Sequence, residues 1–224
     1  MELYDAMRTT FAARDFTDDP VPDEVVYRLL DNARFAPSGG NRQGWKVIVV
    51  RNDRTKKRLG ELCFPALRIA YAQMQAGEVY WQTATPSTVD SQAAGADTTI
   101  PIILPIFEHL DEVPLVLVFA LDLGQVASMD KDLDRVGIVS GASIYPMAWS
   151  TLLAARNEGY GGTLTTLLAS AEPDVQELLG LEPHMAVAAM LTIGKPVKQL
   201  TKLSRRPVEE FAFIDRADGQ PLTG

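Results

Sequence analysis

Cysteine is nearly missing from this sequence: 224 residues include one, Cys63, and only two histidines, His109 and His184. No internal disulfide can form, and a zinc site of ordinary ligand spacing cannot be assembled. Long apolar runs are missing too. The longest, 115–121 and 186–191, fall far short of the roughly 18 residues a membrane span needs, and Glu2, Asp5 and Arg8 break any apolar N-terminal stretch of a secretory signal. Positive charge is in deficit, since 21 Lys and Arg against 29 Asp and Glu leave a net charge of −8, a field that repels nucleic acid and anionic lipid. These absences predict a cytoplasmic protein with no nucleic-acid partner, no membrane partner and no metal centre. The remainder is ordinary for a folded chain, with 46% hydrophobic and 22% charged residues and length for one large α/β domain or two small ones.

Apolar residues recurring at i, i+3 and i+4 predict helices over 2–13, 23–37, 55–74 and 172–179, and a long helix over 141–156 rich in Ala, Leu, Met and Trp. Continuous apolar or β-branched runs predict buried strands at 46–50, 115–121 and 187–193. Between them, 77–114 carries Pro86, Pro101, Pro105 and Pro114 among small polar residues and reads as an excursion from the core, while 208–214 reads as an extended C-terminal arm. The excursion's Ile100, Ile102, Ile103 and Leu104, with Phe211 and Phe213 of the arm, would form an apolar patch on a monomer, which predicts a homodimer. No repeat is present. Helices alternating with continuous apolar strands predict an α/β or α+β layered domain with helices on both faces of one sheet.

Three polar features could carry chemistry. The loop Pro37-Ser38-Gly39-Gly40-Asn41-Arg42-Gln43-Gly44-Trp45 places several donors and acceptors beside a strand mouth, although an ordinary helix-to-strand turn uses the same residue types. The turn Gly159-Tyr160-Gly161-Gly162-Thr163-Leu164 fails as a dinucleotide fingerprint, because Leu164 stands at the third glycine position. It is either a helix C-cap or a place where bare backbone N–H groups approach a flat ligand. Lys195, Lys198, Lys202, Arg205 and Arg206 form an acid-free basic run in an acidic protein, either solvated charge or what a phosphate group requires. Cys63 among Leu59, Leu62 and Phe64 reads as core, and the two histidines as surface or lid residues rather than bases.

Taken in order, Arg14-Asp15-Phe16-Thr17-Asp18-Asp19-Pro20-Val21-Pro22, the Pro37–Trp45 loop, the Gly159–Gly162 turn, and Gly194-Lys195-Pro196 leading to Arg205-Arg206-Pro207-Val208-Glu209-Glu210 resemble the nitroreductase family of FMN-dependent oxidoreductases. The resemblance spans nearly the whole chain, and Pro-Ser-Gly-Gly-Asn-Arg-Gln is its most specific part. It implies one domain over 1–224 with a central mixed sheet flanked by helices, a lid or dimerisation excursion at about 77–114, and an arm at about 195–224 exchanged across a homodimer. It also implies hydride transfer from NADH or NADPH, through bound FMN, to a small-molecule acceptor such as a nitroaromatic, quinone or enone. The alternative is a flavin-binding branch without NAD(P)H turnover, or one performing dehalogenation, oxidation or flavin cleavage.

Residue by residue, the resemblance gives Pro37, Ser38, Gly39 and Asn41 to the flavin ring or ribityl chain, with Gln43 supporting the loop or the ring edge. Gly161 and Gly162 would offer backbone N–H groups to the ring edge, Arg14 would lie near the ribityl or pyrimidine edge, and Arg205, helped by Arg206 or Lys202, would hold the phosphate. Tyr80, Trp81 and Phe107 are lid candidates, and no catalytic side chain is obligatory because the flavin N5 carries the chemistry. The sequence departs from the pattern at Thr10, Phe11 and Ala12, where the family usually carries a basic-polar triplet, and at Gly44, which replaces a frequent proline. If 2–13 is helical throughout, Arg8 lies one turn before Ala12 and could substitute for the triplet.

Overall fold

The computed structural model describes all 224 residues. Its centre is a four-stranded sheet in the order β1-β2-β4-β3, formed by β1 (Trp45–Val50), β2 (Leu115–Asp122), β3 (Gly161–Thr165) and β4 (Met185–Gly194). Every strand pair is antiparallel; the parallel element of the expected mixed sheet is reduced, within one chain, to an isolated bridge between Ala12 and Gly162.

β2 is buried along nearly its whole length, and its side chains alternate between two cores. Leu115, Leu117, Phe119 and Leu121 pack with Leu191 and Ile193 of β4 against α2 (Asp23–Ala33) and α5 (Tyr145–Asn157). Val116, Val118 and Ala120 pack with Val187 and Met190 against α3 (Asp53–Gln75) and α6 (Glu172–Leu179). Each of the Val, Leu, Ile, Phe and Met side chains among them withdraws enough apolar area from water to contribute about 1.5–3 kcal/mol. A bulge between Phe119 and Ala120 shifts the register, pairing Ala189 with the first and Val187 with the second. The carbonyl of Ala188, left between them, accepts from the Tyr145 hydroxyl at 3.3 Å. α1 (Leu3–Thr9) packs beside α5, and the short α4 (Ser91–Ala96) lies on α3. No helix is long and apolar enough to cross a membrane.

Four sequence expectations are corrected by packing. The helix expected over 2–13 stops at Thr9, because Thr10 turns extended with its hydroxyl on the Ala6 carbonyl at 2.7 Å, and Ala13 N–H donates to the Gly162 carbonyl at 3.1 Å. Ala12 is therefore off the helix, and the helical alignment of Arg8 with it does not exist. The glycine turn is a helix C-cap at its start, where Gly159, at φ +85°, ends α5 in a left-handed conformation, but Gly161 begins a strand that was not expected. The helix expected from 141 is a short 3₁₀ turn, Val139–Ser143, with α5 starting at Tyr145 and Pro146 in its first turn. Finally, the end of the excursion belongs to the core. Phe107, Leu110 and Val113 are buried with α3, and Ile102, Ile103, Leu104 and Ile106 pack against them.

The buried Lys56 amine ties α3 to this segment, donating to the Val113 carbonyl at 2.9 Å and the Asp111 carbonyl at 3.3 Å. The C-terminal arm folds back on itself, with Ile214 N–H on the Gln220 carbonyl and Leu222 N–H on the Ala212 carbonyl, each at 2.9 Å.

A methyl group on Gly60 of α3 would overlap the Phe107 carbonyl oxygen. On an exposed helix Gly→Ala stabilises by about 1 kcal/mol; at Gly60 the overpacking reverses the sign, and Gly60→Ala is expected to destabilise by about 1–3 kcal/mol in urea unfolding. A stabilised variant would show that the 105–113 segment does not pack there.

Candidate functional site

The polar residues singled out by the sequence gather at the two ends of the sheet. At the first end, the chain after α1 runs along β3 and the end of β4. Ala12 bridges Gly162, Thr17 N–H donates to the Lys195 carbonyl at 2.9 Å, Phe16 bridges Pro196, and Val197 N–H donates to the Asp15 carbonyl at 3.1 Å. Arg14 is thereby placed beside Gly161 and Gly162, both buried. Gly162 has to be glycine, because a Cβ there would overlap the Thr192 carbonyl oxygen and meet Leu152 Cδ2 at 3.0 Å. The side-chain amide of Gln199 donates to the Thr9 carbonyl at 3.1 Å, which brings the basic tail to the same end. The exposed Arg14 has only a 3.4 Å bond to the Ala12 carbonyl, and Arg205 only a 2.7 Å bond to the Ser204 carbonyl. Neither is neutralised by a carboxylate, whereas Lys195 pairs with Asp19 at 3.3 Å; the Thr17 hydroxyl bond first and then Lys195 hold the Asp19 carboxyl below the usual range.

The second end holds the loop before β1. Gly40, Asn41 and Gln43 have φ of +63°, +53° and +52°, a left-handed conformation that asparagine tolerates and glutamine adopts rarely. Such strain persists only where surrounding bonds impose it. Here Gln43 N–H donates to Ser38 Oγ at 3.0 Å, Gln43 Nε2 donates to Asn41 Oδ1 at 3.1 Å, Asn41 N–H donates to the Ser38 carbonyl at 2.9 Å, and Gly39 N–H donates to Ser143 Oγ at 3.1 Å. The Ser38 O–H, the Asn41 amide N–H groups and Gln43 Oε1 have no partner in the chain and remain free for a ligand. Beside the loop, the 123–143 segment is organised by Asp130, which accepts from Ile138 N–H at 2.7 Å and Arg135 Nη1 at 2.9 Å. Those bonds, the Ile138 amide first, hold its carboxyl below the usual range.

One chain does not bring the two ends together. Gly162 pairs with Ile193 at the level of Leu115, whereas Trp45 pairs with Leu121; the six intervening steps span about 20 Å. α5 gives the same measure, since Ser143 before its start touches Gly39 and Arg156 in its last turn touches Thr9, and its 13 residues rise about 20 Å.

Of the lid candidates, Tyr80 and Trp81 are exposed past the end of α3. Trp81 has φ +57°, and its N–H donates to the buried Gln73 side chain at 3.0 Å. Phe107 is 2% exposed and belongs to the core, so it leaves the lid. His109 pairs with Glu112 at 3.5 Å and His184 with Asp122 at 3.6 Å, all at the surface apart from a more sheltered Asp122. Sequence reasoning missed Arg156, whose Nε donates to Thr9 Oγ1 at 3.0 Å. The signal was available: it is the lone charged residue in 141–156. The role of Asp130 had no sequence signal, because its partners lie in an irregular segment without periodicity.

A model of the Nitroreductase family matches residues 7–195. Among curated proteins, the chain is 25% identical over 213 residues to an iodotyrosine deiodinase of Hydra vulgaris, covering 94% of this chain and 71% of that protein. It is 26% identical over 208 residues to an NADH dehydrogenase of Thermus thermophilus, covering 89% of each. Among solved structures, oxidized iodotyrosine deiodinase bound to FMN and 3-iodo-L-tyrosine has the same fold, with a TM-score of 0.66 at 20% identity over 97% of this chain and 99% of that one.

Cys63 takes no part in either end. Its thiol is buried in α3, donates to the Leu59 carbonyl at 3.4 Å, and is pushed up to about 12 by burial. The folded protein is expected to resist iodoacetamide at pH 8 and to react only as fast as it unfolds. Because the folded thiol titrates higher than the unfolded one, stability is retained below the unfolded value and lost as pH rises toward 12. Cys63→Ala should remove that alkaline loss, and rapid labelling of the native protein would show the thiol to be accessible.

Proposed function

The chain belongs to the nitroreductase family, and on that premise we propose that it is an FMN-dependent oxidoreductase. In this reading it works as a homodimer, taking hydride from NADH or NADPH and delivering it to a small electron-poor acceptor such as a nitroaromatic, quinone or enone. The observation that carries the reading is the division of the site. Donors free for a flat heterocycle lie at one end of the sheet, and cations free for a phosphate lie at the other, about 20 Å away. Two chains in opposite orientation bring one end of each together, twice.

The exposed apolar surface fits such a pairing. Leu3, Tyr4 and Met7 of α1 and Tyr145 and Trp149 of α5 are exposed on adjacent helices, and Phe211, Phe213 and Ile214 of the folded-back arm are exposed as well. Exposed apolar side chains in such number are what an interface would cover. The 208–214 arm and these helix faces thus replace the excursion's isoleucines as the expected contact.

Bound FMN would supply hydride transfer at N5, leaving binding, orientation and electrostatics to the protein. The residues present fit it. Ser38, Asn41 and Gln43, with Pro37 and Gly39, would meet the ring from one subunit, their loop held rigid by the internal bonds described above. Gly161, Gly162 and Arg14 of the other would flank the ring edge, where the Arg14 guanidinium favours negative charge developing on reduction. Arg205 with Arg206 would hold the phosphate. A second reading, reductive dehalogenation, is favoured by the deiodinase relatives.

The purified protein is expected to be yellow and to bleach on anaerobic addition of NADH or NADPH, with reoxidation by a nitroaromatic or quinone. Bleaching followed by turnover of a halogenated phenol alone selects the second reading, and a colourless protein that FMN cannot reconstitute overturns both. Arg205→Ala should weaken FMN about 10- to 100-fold, the worth of one charge-assisted bond to phosphate. Mixed dimers provide the sharper check: Asn41→Ala and Arg205→Ala chains, each flavin-poor alone, should regain one intact site in two when combined. Absence of complementation would place both residues in one subunit's site. Tyr80→Ala and Trp81→Ala should alter acceptor preference and spare flavin occupancy.

A further inference from the structure

Thr9 is a crossing point for three segments. Its hydroxyl donates to the Asp5 carbonyl at 2.6 Å within α1 and accepts from Arg156 Nε of α5 at 3.0 Å, while its carbonyl accepts from Gln199 of the basic tail at 3.1 Å. Immediately after it come Thr10, Phe11 and Ala12, which offer no cation where the family pattern has one. The Thr10 hydroxyl is spent on the Ala6 carbonyl, and the Ala12 backbone on its bridge to Gly162. Arg8, the substitute expected from helical geometry, turns back over the Tyr4 ring at 5.9 Å.

Arg156 reaches the residue just before this stretch from α5, bonding Thr9 Oγ1 at 3.0 Å. It is half-buried and fixed through Nε, so that its two terminal nitrogens remain without a bond in the chain. Its nearest acidic neighbour in sequence, Glu158, is committed to Arg28 at 2.8 Å, and Asn157 accepts from the N-terminal amine at 2.9 Å. A guanidinium anchored at Nε and presenting a free two-nitrogen edge is suited to bidentate recognition of phosphate. We propose that Arg156 takes the place of the missing basic triplet and holds the FMN phosphate together with the tail arginines. This rests on the FMN reading above. The competing role is purely structural, since a cation in the last turn of α5 is favoured by the helix carbonyls whatever binds nearby.

FMN and riboflavin differ only in the phosphate, so titrating the apo-protein with each by fluorescence quenching separates the roles. Arg156→Gln is expected to raise the FMN Kd about tenfold, to leave the riboflavin Kd unchanged, and to reduce the salt dependence of FMN binding. Arg156→Lys should recover part of the loss. Thr9→Val, which removes the tether together with the hydroxyl's bond to the Asp5 carbonyl, should weaken FMN relative to riboflavin to a smaller degree and keeps the test available if Arg156→Gln fails to fold. An unchanged FMN Kd in Arg156→Gln overturns the proposal. So does equal weakening of FMN and riboflavin, the signature of lost α1–α5 packing, and so does a raised KM for NADPH relative to NADH with FMN binding intact. Wild-type protein that binds neither flavin overturns the FMN reading itself, which is a distinct result.

Discussion

The pairing of β2 with β4 constrains everything else in this molecule. Residues that send alternate side chains into two cores can be buried only if strands flank them on both sides and helices cover both faces, so the ladder runs from Leu115 to Asp122, with one bulge at Phe119 and Ala120. Its length then becomes a fixed distance. The loop before β1 is held at one end because Trp45 must pair with Leu121, and the Gly161-Gly162 edge at the other because it must pair with Gly194 and Ile193. No loop rearrangement can merge the two ends without dismantling the core between them.

Much of this arrangement was legible in the sequence. The three strands with continuous apolar character came through because burial on both faces leaves an unmistakable run, and α3 and α6 because their apolar spacing is regular. β3 stayed hidden. Five residues starting with two glycines carry almost no strand signal, and what makes them a strand is the closeness of Gly162 to the Thr192 carbonyl, a tertiary fact. The end of α1 was misplaced for a similar reason. Periodicity continues through Phe11, but the backbone of Ala13 is claimed by the Gly162 carbonyl, and a local pattern cannot report a partner about 150 residues away. Phe107 was a lid candidate because its proline-rich segment reads as an excursion from the core, although proline-rich segments can lie against a core as readily as outside one.

The candidate site was legible as a set of residue types but not as an arrangement. Ser38, Asn41 and Gln43 stand out by composition; that two non-glycine residues among them adopt left-handed backbone is visible only in the structure. Likewise the basic run of the tail was evident, whereas the spending of Lys195 on Asp19 and the freedom of Arg14 and Arg205 from carboxylate partners emerge from the fold. In an acidic protein, the cations left without a carboxylate are more informative than their number.

The separation of the two ends along the sheet has a thermodynamic corollary. A ligand that needs one end from each of two chains binds an assembly and not a subunit, so its binding and subunit association are linked equilibria. Its apparent affinity must weaken on dilution of the protein even when the chemistry of the site is untouched. Conversely, a saturating ligand of that kind would pull subunits together, so that loss of the ligand and loss of the oligomer would become one event. A substitution remote from the ligand, on the apolar face of α1 or α5, would then mimic a binding-site lesion.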